Sequence, residues 1–244
     1  MKVNCFEATY LGARKSNQDY YSHVITEDWS CFVIADGLGG HFRGDIASKA
    51  YTTAFTQQII DNASQVLTHP IEGFAQCMQK AWQNMCEAIH LEYGEIDTQT
   101  TFVAVWIDKN NLVCAHVGDS RAYLLNQQEI LWRTADHTPV QALYEQGKIT
   151  EEEFNYHPMQ NRLLRTVNLY EPPDADMTLY PPIKSNETLL LCTDGFWNPL
   201  SRNDILLLGK TSDFKATSTQ LVDAILADHP TDADNISLQL IRTI

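Results

Sequence analysis

Thr100-Thr101-Phe102-Val103-Ala104-Val105-Trp106-Ile107, Asp108-Lys109-Asn110-Asn111 and Leu112-Val113-Cys114-Ala115-His116-Val117 form the stretch that decides the architecture. Two apolar runs flank a polar turn, the pattern of an antiparallel hairpin. Arg121 to Leu125 and Ile130 to Arg133 continue the meander around Asn126-Gln127-Gln128. Upstream, Asn4 to Tyr10 and Cys31 to Ala35 read as strands. Two helices intervene. Ala47, Ala50, Tyr51, Ala54, Phe55 and Ile59 share a face between Ile46 and Asn62. Ile71, Phe74, Ala75, Met78, Trp82, Met85 and Ile89 do so between Pro70 and Leu91. Both stripes have helical spacing and read as core faces. A more polar stretch runs from Asp136 to Pro182, in which Thr150 and Glu153 have capping-box spacing. Beyond it come a buried strand from Glu187 to Thr193, helices near Asn203–Gly209 and Thr217–Asp228, and a strand from Ile236 to Ile241. This order lacks regular βαβ alternation, so the expectation is an α+β fold of antiparallel sheets covered by helices.

The 244 residues include 17 Lys and Arg against 31 Asp and Glu, a formal net charge of −14. That balance argues against nucleic acid and against an anionic membrane surface as partners. Hydrophobic residues make up 44%, enough for a sizeable core, and the length suits one large domain or two small ones. The first residues, Met1-Lys2-Val3-Asn4-Cys5-Phe6, lack the apolar segment of an export leader, and no apolar run is long enough to span a membrane. Cysteines at 5, 31, 77, 86, 114 and 192 form no Cys-x-x-Cys pair and mostly sit in apolar runs. Buried thiols in a reducing, cytoplasmic setting are the expectation.

Phe32-Val33-Ile34-Ala35-Asp36-Gly37 and Leu190-Leu191-Cys192-Thr193-Asp194-Gly195 share a form: an apolar strand ending in Asp-Gly. Asp119 follows the strand that ends at Val117, and Asp234 precedes the last strand. Carboxylates at the ends of buried strands are costly unless paired or metal-bound, and clustered ones raise one another's pKa. A divalent cation removes both penalties, and all-oxygen ligands favour Mg²⁺ or Mn²⁺ over Zn²⁺. The glycine lets the backbone approach the ion and offer its carbonyl. The competing reading is that Asp-Gly marks hairpin turns.

Arg14 lies near Asp19 in Arg14-Lys15-Ser16-Asn17-Gln18-Asp19, and an arginine fork suits a phosphate. Gly37-Leu38-Gly39-Gly40-His41 is glycine-rich and precedes a helix, but matches neither a P-loop nor Gly-x-Gly-x-x-Gly. No Gly-x-Ser-x-Gly elbow and no His-Glu-x-x-His occur.

In order, these motifs resemble the metal-dependent PPM, or protein phosphatase 2C, Ser/Thr phosphatases in their bacterial form. The likeness rests on Arg14-x-x-Asn17-Gln18-Asp19, Ala35-Asp36-Gly37-Leu38-Gly39-Gly40-His41, Thr100-Thr101 and His116-Val117-Gly118-Asp119-Ser120-Arg121-Ala122-Tyr123. It continues through Asp136-His137-Thr138, Asn161-x-Leu163-x-Arg165, Cys192-Thr193-Asp194-Gly195 and Asp234-Asn235-Ile236-Ser237.

The resemblance implies a single domain over residues 1–244, a four-layer α-β-β-α sandwich with a flap over about 136–182. It implies a centre of two Mn²⁺ or Mg²⁺ ions, with a third-ion position. By matching position, Asp36 would bridge both ions and the Gly37 carbonyl would complete one shell. Asp194 and Asp234 would hold the other ion, Asp119 with Asp194 a third, and Asp19 would stand behind the ligands. Arg14 would clamp the phosphate. A metal-activated water would then hydrolyse phospho-Ser and phospho-Thr in proteins, opposing a Ser/Thr kinase.

Leu38 stands where many eukaryotic members of that family have a histidine, Gln18 where those members often have a glutamate, Gln99 where glycine is frequent before Thr100-Thr101, and Val167-Asn168 where Leu-Gly is common. Gln18 and the altered flap keep a second reading open, a catalytically weak phosphoprotein-binding module. A carboxylate-rich metal-binding β protein without phosphate chemistry is the third.

Overall fold

The computed structural model describes residues 2–38, 43–150, 153–154 and 156–244. Gly39, Gly40 and His41 of the glycine-rich stretch lie outside them. The strands are β1 (Val3–Tyr10), β2 (Asp19–Ile25), β3 (Trp29–Asp36), β4 (Phe102–Asp108), β5 (Leu112–Val117), β6 (Arg121–Leu125), β7 (Ile130–Arg133), β8 (Asp176–Tyr180), β9 (Thr188–Cys192) and β10 (Ile236–Thr243). The helices are α1 (Gly44–Asp61), α2 (Ala63–Thr68), α3 (Pro70–Tyr93), α4 (Pro139–Glu145), α5 (Asp194–Trp197), α6 (Arg202–Lys210) and α7 (Phe214–Asp228).

Two five-stranded sheets form, in the orders β1-β10-β9-β6-β7 and β2-β3-β4-β5-β8, and every pairing is antiparallel. Strand alternation builds the layers, because successive side chains leave opposite faces. In β3 and β4, Cys31, Val33, Phe102, Ala104 and Trp106 face the layer of α1 and α3, where Tyr51, Phe55, Phe74 and Met85 are buried. Phe32, Ile34, Val103 and Val105 face the other way and meet Leu124, Leu189, Leu191 and Ile241 of the second sheet. That sheet's outer face, with Leu190, Cys192, Leu238 and Leu240, is covered by Ile205, Leu208, Leu221 and Val222 of α6 and α7. The result is the expected α-β-β-α sandwich.

The hairpin read from Thr100 to Val117 is β4 and β5, with Asp108 Oδ1 accepting the Asn110 and Asn111 N–H groups in the turn. Two strands carry no apolar run in the sequence: β2 and β8, the two edges of one sheet. The helix expected from Thr217 begins at Phe214, because the Asp213 carboxylate accepts the Ala216 N–H and caps it. Among the described residues no helix is long and apolar enough to cross a membrane.

Candidate metal and phosphate site

Both sheets end at one cleft. β3 delivers Asp36, and Thr100 and Thr101 fix its backbone: the Asp36 N–H donates to Thr101 Oγ1 at 2.9 Å, and Thr100 Oγ1 donates to the Asp36 carbonyl at 2.8 Å. β9 runs into Asp194, the first residue of α5. Asp234 sits two residues before β10, and Asp119 follows β5. A cleft of about 380 Å³ is lined by Arg14, Asp36, Gly37, Asp119, Asp194 and Asp234, together with Gln18, Leu38, Asn161 and Leu163. A larger cavity of about 830 Å³ beside it holds Arg121, Arg133 and Trp197 but none of these carboxylates, so size does not locate the chemistry.

Neither Asp-Gly is a hairpin turn, for a reason visible in the glycines. Gly37 and Gly195 are not among the residues with positive φ. Instead, a Cβ on Gly37 would lie 2.3 Å from the backbone carbonyl of Gly44, and one on Gly195 would lie 2.0 Å from the Asn235 carbonyl oxygen. Glycine follows each Asp because a second backbone passes against it. In the first case that backbone is the start of α1, in the second the segment carrying Asp234.

Asp19 lies behind the cleft lining, buried, and its Oδ2 accepts the Thr193 hydroxyl at 2.9 Å. Burial, with the charges of Asp194 and Asp234, pushes its carboxyl up to about 7. Burial and the neighbouring Asp234 push Asp194 up to about 6. Asp36 and Asp119 are raised well above the carboxylate range, again chiefly by burial and then by their acidic neighbours. Asp19 Oδ1 and Asp194 Oδ1 are buried without a hydrogen-bond partner. Two orphaned carboxylate oxygens in an acidic cluster fit a hard divalent cation, which needs anionic oxygens and offsets their repulsion. Among the described residues the one guanidinium in the lining is Arg14, which donates from Nε and Nη2 to the two oxygens of Asp234 at 2.9 and 2.7 Å.

One cluster went unread in the sequence. Ligand atoms of His116, His137 and Asp176 lie within 4.8 Å of one another. Hydrogen bonding commits them elsewhere. His137 Nδ1 accepts the Gly118 N–H at 3.2 Å, so its ring proton sits on Nε2, facing Asp176 Oδ2 at 3.3 Å. His116 Nε2 bonds the Ala135 carbonyl at 2.7 Å. Burial lowers both histidine pKa values, which keeps the rings neutral. Arg165 donates to Asp176 Oδ1 at 2.7 Å. The cluster thus ties the segment after Asp136 to β5 and to the Gly118-Asp119 loop.

Comparison with known proteins decides the family. Residues 11–229 match the family described as Protein phosphatase 2C. The chain belongs to that family. It is 31% identical over 216 residues to the serine/threonine phosphatase stp of Listeria monocytogenes, covering 86% of this chain and 83% of that one. It is 29% identical over 235 residues to the protein phosphatase PhpP of Streptococcus pneumoniae, covering 93% and 92%. Among solved structures, the Mycobacterium tuberculosis serine/threonine phosphatase PstP/Ppp superposes with a TM-score of 0.83 at 25% identity, over 98% of both chains. The S. agalactiae serine/threonine phosphatase does so with a TM-score of 0.82 at 27% identity, over 100% of both. In this protein phosphatase 2C chain, Arg14 and the four lining carboxylates all lie within or beside the matched segment.

Proposed function

We propose that this protein phosphatase 2C chain is a metal-dependent Ser/Thr phosphatase that hydrolyses phospho-Ser and phospho-Thr in proteins. The observation that carries the reading is the convergence of Asp36, Asp119, Asp194 and Asp234 with Arg14 in one cleft. Two divalent ions, Mn²⁺ or Mg²⁺, are assigned to it. Asp36 would serve both ions and the Gly37 carbonyl one of them. Asp194 and Asp234 would serve the second, and Asp119 with Asp194 a third position. Bound there, the ions would supply Lewis acidity and an acidified water.

The chain's own residues do the rest. Arg14 presents a planar fork that matches two phosphoryl oxygens. Asp19, held by Thr193, stands behind the ligand set without entering the cleft lining. Among the described residues lining the cleft there is no cysteine and no histidine, and the one serine, Ser16, has no histidine there to activate it, so an attacking water rather than a covalent phosphoenzyme suits it. Residues 1–244 are assigned to one catalytic domain with about 136–182 as its flap, the protein itself is assigned to the cytoplasm, and a cognate Ser/Thr kinase is proposed as the opposing enzyme.

The test is phosphate release from a phosphothreonine peptide, with and without Mn²⁺. Mn²⁺-dependent release that Asp36→Asn and Asp194→Asn both abolish is expected. Folded protein that releases none overturns the reading. Gln18 in the cleft lining, with Val167-Asn168 in the flap, supports the binding-module reading. Phosphopeptide binding without turnover at saturating Mn²⁺ selects that reading.

A further inference from the structure

We propose that Asn235 is the positioning residue for Arg14, an inference that rests on the phosphatase reading above. Arg14 sits on a loop from Leu11 to Gln18 that belongs to neither sheet. Such a loop needs an anchor if a guanidinium is to meet a phosphate at fixed geometry. Asn235, 5% exposed, supplies it with every hydrogen-bonding group of its side chain. Its Nδ2 donates to the Leu11 carbonyl at 2.9 Å and to the Ser16 carbonyl at 3.1 Å. Its Oδ1 accepts the Gln18 N–H at 2.8 Å. The partners fix the amide's orientation, since two carbonyls can face only the NH₂ and an N–H only the oxygen.

The anchor points bracket Arg14. The Leu11 carbonyl also accepts the Arg14 N–H at 3.4 Å, so the carbonyl held by Asn235 is the one that closes the turn carrying Arg14. The loop is further registered on the same segment by the Ala13 N–H, which donates to the Ala233 carbonyl at 2.9 Å. Asn235 is meanwhile the neighbour of Asp234, and its own N–H donates to Asp234 Oδ1 at 2.8 Å. Beyond Gln18 the linkage continues, because the Gln18 carbonyl accepts both the Gly37 N–H at 3.0 Å and the Ser48 hydroxyl at 2.6 Å. One amide therefore sets the spacing between the arginine and two of the assigned metal-site residues, Asp234 and Gly37. Asn235 borders the cleft, but its side-chain amide is spent on the loop, so its part is played through Arg14.

Asn235→Asp keeps the shape and the acceptor but turns a carboxylate oxygen against two carbonyls. With a phosphothreonine peptide and Mn²⁺, it is expected to lower kcat/KM by about 10- to 100-fold, the scale of a small misplacement of a positioned group. The loss should divide between KM and kcat as it does in Arg14→Ala. In an Arg14→Ala background the same substitution should change kcat/KM by less than about threefold, because both substitutions remove one function. Its cost in Tm should be the same in both backgrounds. An equal fold-loss with and without Arg14 overturns the proposal and leaves Asn235 a structural residue. Hydrogen exchange of the unaltered protein is the check that requires no variant to fold. The Gln18 amide should exchange as slowly as those of β10, and rapid exchange overturns the anchor. If the unaltered protein shows no Mn²⁺-dependent turnover, the phosphatase reading fails, and exchange still decides the anchor.

Discussion

Asp19 and Asp36 are direct cross-strand partners, the first residue of β2 opposite the last of β3. Like charges in that position oppose strand pairing. The pairing nonetheless continues through seven partners to Ile25 and Ser30. The sheet end therefore holds a repulsion that serves the site rather than the fold.

Asp36→Asn should separate these two roles. In chelator it relieves repulsion, and Tm is expected to rise by about 2–4 °C, the shift that about 1 kcal/mol makes in a chain of this size. With Mn²⁺ present, turnover should fall by about 10²–10³-fold or more. Calorimetry in EDTA and phosphate release in Mn²⁺ read the two effects. A fall in Tm in EDTA would mean that Asp36 is held by attractive contacts.

The carboxyl of Asp19, raised by burial to about 7 from an ordinary 3.8, has a consequence for pH. Between those values the folded chain binds a proton that the unfolded chain has lost. Its contribution to stability is present below the unfolded pKa and fades as pH rises toward about 7. His116 and His137, lowered by burial, act in the opposite sense, costing stability as pH falls below 6.5. The Asp19 part is isolated by difference. In EDTA, Asp19→Asn should be stabilised relative to the unaltered protein at pH 7.5 more than at pH 5. Equal differences at the two pH values would place the Asp19 pKa in the ordinary range.

Much of this was legible before any coordinates. Strands buried on both faces, such as β3, β4 and β9, announce themselves as apolar runs because neither face tolerates a polar side chain. The edge strands β2 and β8 do not, since half-exposed Ser22, His23 and Thr178 leave no run to read. The Asp set was visible because each carboxylate ends or adjoins such a run. The reason for its glycines was not, because the backbones that exclude a Cβ at Gly37 and Gly195 come from Gly44 and Asn235. The His116–His137–Asp176 tie was hidden for the same reason: it joins β5, the segment after β7 and β8 across long stretches of sequence.

Arg14 holds both carboxylate oxygens of Asp234, oxygens that are also assigned to an ion. The guanidinium and a divalent cation compete for them. Arg14→Ala is therefore expected to tighten Mn²⁺ binding in the absence of substrate by about two- to fivefold, the scale of a partly exposed ion pair. The same variant should raise KM for a phosphopeptide. Titration calorimetry with Mn²⁺ alone reads the first effect. Weaker Mn²⁺ binding would show that Arg14 organises Asp234 for the ion instead of contesting it.

Arg121 is buried beside the cleft, and Asp136 holds it with two hydrogen bonds of 2.7 Å. Its guanidinium also lies 3.2 Å from the centre of the Trp197 ring and donates to the Tyr123 hydroxyl. Trp197 in turn donates its indole N–H to the Asp119 carbonyl, so this pair stands behind the Asp119 loop. Removing one member leaves a buried charge unpaired. Asp136→Ala is expected to destabilise the fold by about 3–5 kcal/mol. Asp136 also lies 3.7 Å from Arg133, so its loss leaves two cations facing each other. Replacing both partners with apolar residues, Arg121→Met with Asp136→Leu, removes the charge together with its counter-charge. That double variant should recover most of the lost stability. Denaturant unfolding of Asp136→Ala and of the double variant makes the comparison. If the double variant is no more stable than Asp136→Ala, the contacts of Arg121 with Trp197 and Tyr123 outweigh the cost of burying its charge.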